Sequence, residues 1–354
     1  MPARRRPHPR AGRTVRFAPP WVPLLWLLLL CVAVTACGHP VDRTLHPQPT
    51  LRYAPERHPF RGATLYVDHD TAAARWQAAH GAAWLDPITS RPQARWVNSA
   101  HDLAAVPKLA ARARAGHALA VLVAFHIPNR GCSDFNEGAP NDAAYDDWIT
   151  ALIRRLGNTR AVIIMEPDAI AADCFTSGRA ALLARNVSRL TDAGHAVFLD
   201  AGHPGWRASG EMADRLLAAG IQHAEGFAVN VSNRQRTDDA YRWGRELSDL
   251  VGGRDFVIDT SRNGLGPPPG DPASSWCNPQ RQALGPAPTV DSGRPGLAAL
   301  LWIKAPGESD GPCGGEHGYL FSPAQARNLI VGARWLPAAA RRAASAAHAP
   351  TGDG

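Results

Sequence analysis

Lysine is nearly missing from this chain. Among 38 basic residues only Lys108 and Lys304 are lysines. Where every other cation is arginine, a lone lysine in a polar loop, as at 304, calls for a specific reason. Acids are missing from residues 1–20, which carry Arg4, Arg5, Arg6, Arg10, Arg13 and Arg16. These six account for nearly all of the formal +7, so a nucleic-acid partner is not expected. No C-x-x-C pair occurs, which argues against a zinc site, and no metal is expected. No G-x-G-x-x-G or Walker loop follows an early strand, which disfavours nucleotide-binding sheets. A long Ser/Thr/Pro linker and a second compact module are also lacking. What remains is a 354-residue chain, 45% hydrophobic and 19% charged, enough to build a sizeable core and exclude wholesale disorder.

Residues 21–36, WVPLLWLLLLCVAVTA, form an apolar run short of the ~20 residues that span a bilayer but suited to a signal-peptide core. It ends Val34-Thr35-Ala36-Cys37, small residues directly before a cysteine, as in a bacterial lipoprotein cleavage box. Residues 1–36 are therefore expected to be a lipoprotein-type signal peptide, with Cys37 lipidated. An ordinary signal peptidase would instead secrete the chain. Either way it is exported, as a lipoprotein on the outer face of the cell membrane or into the medium. Residues 37–60 read as a membrane-proximal tether, 61–337 as one compact domain and 338–354 as an Ala-rich tail. Cys132, Cys174, Cys277 and Cys313 remain in the exported body. In an oxidising compartment they imply two disulfides, with three pairings open.

Short apolar runs alternate with helical patterns. The strand candidates are 63–67, 94–97, 119–125, 161–165, 196–199, 226–229, 256–258 and 298–303. Helices are expected near 71–80, 101–114, 141–156, 178–193, 208–219, 236–250 and 323–334. Such alternation implies an α/β fold with parallel strands and crossovers, a parallel β/α (TIM-like) barrel of seven or eight strands. A doubly wound open sheet is the alternative. Polar residues collect just after the strands: Glu166 and Asp168; Asp200, His203 and Trp206; Asn230, Ser232 and Asn233; Asp259, Arg262 and Asn263; Lys304, Glu308 and Asp310. Each alone reads as a cap or turn residue, but in a parallel barrel all five groups open on one face. Trp96, Trp206 and Trp276 fall in loops or at strand ends, where flat rings suit the apolar faces of sugars. Carboxylates with aromatics point towards glycoside hydrolysis.

Four stretches then become specific. VIIMEPDAIA (162–171), LDAGHPGW (199–206), AVNVSN (228–233) with VIDTSRNG (257–264), and WCNP (276–279) with LWIKAPGESDGPC (301–313) resemble glycoside hydrolase family 6. That is the family of bacterial endoglucanases and fungal cellobiohydrolases. The resemblance implies a distorted parallel β/α barrel that cuts β-1,4-glucan with inversion. Asp168 matches the catalytic acid and Asp310 the base or charge-stabilising aspartate. Lys304 and Glu308 match residues holding the sugar at the cleavage point. Trp96, Trp206 and Trp276 match stacking platforms, and His203 and Asn230 hydrogen-bonding residues. It also implies disulfides Cys132–Cys174 and Cys277–Cys313. No cofactor is needed for acid–base chemistry of this kind. The partner expected is a β-glucan polysaccharide or oligosaccharide, met by a monomer whose only membrane contact is the lipid.

The sequence departs from the family's Y-x-x-P-x-R-D-C signature. Phe125 stands for its tyrosine and Gly131 for its aspartate, an anion that tunes the acid. Losing an anion beside Asp168 should let its pKa fall. Asp134 and Glu137 are the candidates to replace it, though loop carboxylates are more often simply solvated. Two readings follow: an endoglucanase-like hydrolase, or a glycan-binding lipoprotein that keeps the scaffold without turnover.

Overall fold

A computed structural model describes residues 58–130, 132, 138–270, 276–314, 316, 318 and 320–347. The expected signal peptide, Cys37, most of the tether, Gly131, Asp134 and Glu137 lie outside the described residues. All that follows concerns the compact unit Thr50–Gly354.

Seven parallel strands form one sheet in sequential order: β1 Arg95–Val97, β2 Ala120–Ala124, β3 Ala161–Met165, β4 Ala196–Asp200, β5 Gly226–Val229, β6 Asp255–Asp259 and β7 Leu297–Leu301. Their central runs are apolar because both faces are covered, with charge only at strand ends, as Arg95, Asp200, Asp255 and Asp259. β3 (AVIIM) is wholly buried: Val162 and Ile164 point into the barrel, while Ile163 and Met165 meet the helices outside. The helices are α1 Ala72–His80, α2 Asp86–Thr89, α3 Ala100–Ala115, α4 Asp142–Leu156, α5 Ser177–Asp192, α6 Ser209–Ala218, α7 Thr237–Leu250, α8 Pro323–Gly332 and α9 Ala338–Ala346. Thr71, Ser99, Asn141, Thr176 and Ser322 cap α1, α3, α4, α5 and α8, each accepting a first-turn N–H. Close packing of α7 on β6 depends on Gly244, where a Cβ would sit 2.5 Å from the Phe256 ring.

The barrel is distorted because β1 and β7 do not pair as strands. They are stitched by Ala94 N donating to Trp302 O (2.9 Å) and Trp96 Nε1 donating to Ile303 O (2.8 Å). Of the eight strand candidates, residues 63–67 do not form a strand. Only Leu65 bridges Leu119, and Asp68 then pairs with Arg95 at the start of β1. Phe60, fully buried, packs against Phe198 inside the barrel and plugs its N-terminal end. Helix α9 buries Ala344 and packs on α8.

Candidate active site

The C-terminal ends of β3 to β7 gather the charged residues that the sequence placed after each strand. The backbone there is strained. Glu166 (φ 50°), Asp168 (φ 70°), Asn230 (φ 68°) and Ser232 (φ 58°) all take the left-handed conformation, unusual without glycine. Side-chain bonding offsets that strain. The Glu166 carboxylate, fully buried, accepts from His126 N (2.9 Å), Ile127 N (3.0 Å) and Tyr145 Oη (2.8 Å). It thereby pins the loop after β2 to the loop after β3. Burial pushes Glu166 up to about 7, against the pull of those donors.

Asp168 is half-buried, and its N–H donates to Asp200 Oδ2 at 2.8 Å. Burial raises its carboxyl to about 6; Arg262 opposes this and the charge of Asp310 reinforces it. Asp200, at the end of β4, is fully buried, and its Oδ1 has no partner among the described residues. Burial and the neighbouring Asp168 hold its pKa well above the usual carboxylate range. Asp259, at the end of β6, is the knot of the site. It accepts from Ser261 N and Ile303 N on one oxygen and from Ser232 N and Lys304 N on the other, all within 3.1 Å.

Asp310 is the opposite case to Asp168. Arg262 Nη1 lies 2.7 Å from Oδ1, Arg234 Nη2 lies 3.2 Å from Oδ2, and Lys304 Nζ is 3.9 Å away. Burial alone would raise its pKa, but Arg262, then Lys304 and Arg234, hold it at about 2. Two carboxyl groups in mutual electrostatic contact thus differ in ionisation between about pH 2 and about pH 6. One is poised to carry a proton and the other is a fixed anion.

Around them, Trp96 stands edge-on to Phe125 (5.1 Å, 87°), with Lys304 Nζ 5.8 Å over its ring. Lys304 Nζ also donates to Ser309 O (3.2 Å), and burial lowers its pKa. Burial raises Glu308, with Lys304 opposing. His203 packs against Trp206 at 5.5 Å, and Gly202 (φ 70°) permits this because a Cβ there would meet the Trp206 ring at 3.2 Å. Trp276 is half exposed. Asn230 sits beneath the mouth, fully buried, its amide spent on Asp259 O and Gln235 N. Cys132–Cys174 and Cys277–Cys313 are bonded, the pairing that the resemblance implies.

Sequence reasoning did not place Arg234, Asn278 or Tyr145 in the site, and noted Arg262 only as a strand-end residue. No local spacing announces them, since Arg234 meets Asp310 across 76 positions. The string Gly307-Glu308-Ser309-Asp310-Gly311 has the spacing of a hydrolase nucleophile elbow. It is a turn after β7 rather than a strand-to-helix elbow. The Ser309 hydroxyl donates to Gly311 O and accepts from Asn278 Nδ2, both at 3.0 Å.

The sequence profile of Glycosyl hydrolases family 6 matches residues 60–330. The chain is 40% identical over 262 residues to endoglucanase A of Cellulomonas fimi, covering 71% of this chain and 57% of that protein. It thus spans little more than half of that relative. Over 259 residues it is 40% identical to endoglucanase 1 of Streptomyces sp. (strain KSM-9), covering 69% of this chain and 70% of the relative. Among solved structures it is similar to an endoglucanase from Mycobacterium tuberculosis in complex with methyl-cellobiosyl-4-deoxy-4-thio-β-D-cellobioside. That likeness has a TM-score of 0.73 and 38% identity and covers 77% of this chain and 98% of the other. The chain belongs to glycosyl hydrolases family 6.

Proposed function

We propose that this chain is an exported, inverting endoglucanase that cleaves internal β-1,4 linkages of glucan. The observation that carries the reading is the split between Asp168, at about 6, and Asp310, at about 2. Asp168 protonates the leaving oxygen. Asp310 is the candidate base. Arg262 and Arg234 keep it ionised, a fixed negative charge that stabilises the positive charge building on the sugar while water attacks. The water's proton then passes to Asp310 or to further water, and the configuration inverts. Lys304 and Glu308 position the sugar, and Trp96, Trp206, Trp276 and His203 line its path. We assign Asn230 to holding the loops, since its amide is already engaged.

Export follows from residues 1–36, with lipidation of Cys37 keeping the enzyme on the outer face of the membrane as a monomer. A tethered enzyme suits soluble or amorphous β-glucan and oligomers better than crystalline cellulose. One observation favours a second reading, a glycan-binding lipoprotein without turnover. Phe125, edge-on to Trp96, lacks the hydroxyl that the family's tyrosine carries.

The test is release of reducing ends from carboxymethyl-cellulose and mixed-linkage β-glucan across pH 4–8, with Asp168→Asn beside the wild type. Release by the wild type alone supports the hydrolase. Oligosaccharide binding without release, unchanged in Asp168→Asn, supports the binder.

A further inference from the structure

The barrel end opposite the carboxyl groups carries a corner of one charge sign. Three segments meet there: the chain entering at His58, the α3–β2 turn and the α4–β3 turn. Leu119 N donates to Thr64 O (2.7 Å), and Arg114 Nη1 donates to Thr159 Oγ1 (3.1 Å). Between them lies a depression of about 300 Å3 lined by Thr64, Arg114, His117, Asn158 and Arg160, among others. Residues 58–67, 109–120 and 148–165 contain Arg61, Arg112, Arg114, Arg154, Arg155 and Arg160 but no Asp or Glu. Among the described residues, no carboxylate pairs with Arg61, Arg114, Arg154, Arg155 or Arg160.

Helix chemistry explains part of this. Arg112 and Arg114 end α3, and Arg154 and Arg155 end α4, where cations offset the helix dipole. It does not explain Arg61 and Arg160, which lie outside the helices, or the lack of acids in the three segments. The same end receives the N-terminal chain. His58 Nε2 lies 3.6 Å from Asp255 Oδ2 at the start of β6, and Phe60 plugs the barrel beside it. Residues 38–57 separate Cys37 from this end. Fully extended, such a segment reaches roughly 70 Å; as a coil it averages about 25 Å.

We propose that this arginine corner docks on the anionic phospholipid headgroups of the membrane to which the chain is tethered, so that the catalytic mouth faces away from the bilayer. This goes beyond the hydrolase reading but rests on the export and lipid anchor proposed with it. Guanidinium groups bind phosphate oxygens in bidentate fashion. Screening confines the attraction to about 10 Å at 0.1 M salt, so the anchor supplies proximity and the corner supplies orientation.

The test uses the chain from residue 38, without lipid, which contains the whole compact unit Thr50–Gly354. Co-sedimentation is measured with vesicles of phosphatidylglycerol and phosphatidylcholine, and with phosphatidylcholine alone. The expected result is binding to the anionic vesicles only, weakened by salt. Arg114→Gln with Arg160→Gln should lower it about tenfold or more. Arg242→Gln with Arg245→Gln, the same charge loss on α7, should leave it unchanged. Equal loss in both pairs, or no preference for anionic vesicles, overturns the proposal. Retention on soluble polyphosphate without vesicle binding also overturns it and assigns the corner to a soluble polyanion. Unchanged glucan turnover in both pairs shows that they fold. Failure to bind vesicles with turnover intact leaves the hydrolase reading standing, and the mass of the Cys37 peptide from cells tests the anchor separately.

Discussion

Asp310 and Asn278 clasp each other. Asp310 N donates to Asn278 Oδ1 (2.8 Å), and Asn278 N donates back to Asp310 Oδ2 (3.2 Å). The Asn278 amide also donates to Ser309 Oγ, Gly311 O and Cys313 O, each at 3.0 Å. One side chain therefore sets the loop that carries the anion. Asn278→Ala should lower kcat more than it raises KM, and should cost roughly 2–3 kcal/mol of stability through unpaired buried groups. Steady-state kinetics and urea unfolding read the two effects.

In the role of acid proposed for it, the Asp168 carboxyl must be protonated, so kcat/KM should fall as pH rises through about 6. Asp310, at about 2, should add no acidic limb in the range where the protein is folded. In Asp310→Asn the charge that helps raise Asp168 is gone and Arg262 is unopposed, so any residual activity should show its basic limb at lower pH. The same change leaves Arg234 and Arg262 buried without a counter-ion and should destabilise the fold by about 3–5 kcal/mol. A pH–rate profile with an unmoved limb would contradict this coupling.

Glu166, with its pKa raised to about 7, favours the fold in its protonated form. Its contribution is complete below about 4.5 and is lost as pH rises through about 7. Tyr145 Oη is one of three donors that lower that pKa. Tyr145→Phe should therefore cost about 1 kcal/mol at pH 5 and up to about 3 kcal/mol at pH 8. Denaturant titrations at the two pH values make the comparison.

Each disulfide closes a loop of similar length, 42 and 36 residues. The chain-entropy model gives about 4 kcal/mol for each. Removing Cys277–Cys313 should reduce activity more than removing Cys132–Cys174, because Asn278 adjoins Cys277 and its amide donates to Cys313 O. Paired Cys→Ser variants, assayed below their melting temperatures, separate activity from stability.

Trp276, half exposed, should act through binding alone. Trp276→Ala should raise KM for cello-oligosaccharides up to about tenfold with kcat little changed.

Much of the fold was legible because a doubly covered strand is an uninterrupted apolar run. β3 and β5 match the sequence expectation residue for residue. Residues 63–67 (ATLYV) also read as an apolar run, but Thr64 and Tyr66 interrupt it, only Leu65 is buried, and a single bridge to Leu119 forms in place of a strand. The carboxylates of the site were legible because each follows a strand. The cations that set their ionisation were not, because Arg234 and Arg262 reach Asp310 from different loops, and only folding brings them together.

If the chain is tethered as proposed, the Phe60 plug also fixes where it can be shed from a cell. A protease cutting before His58 leaves the barrel sealed and releases an intact catalyst. One cutting between Phe60 and Leu65 removes a ring from the interior of the core, and the released fragment would unfold. On that proposal, tethered and released forms would share one folded body and would differ only in chain ahead of residue 58.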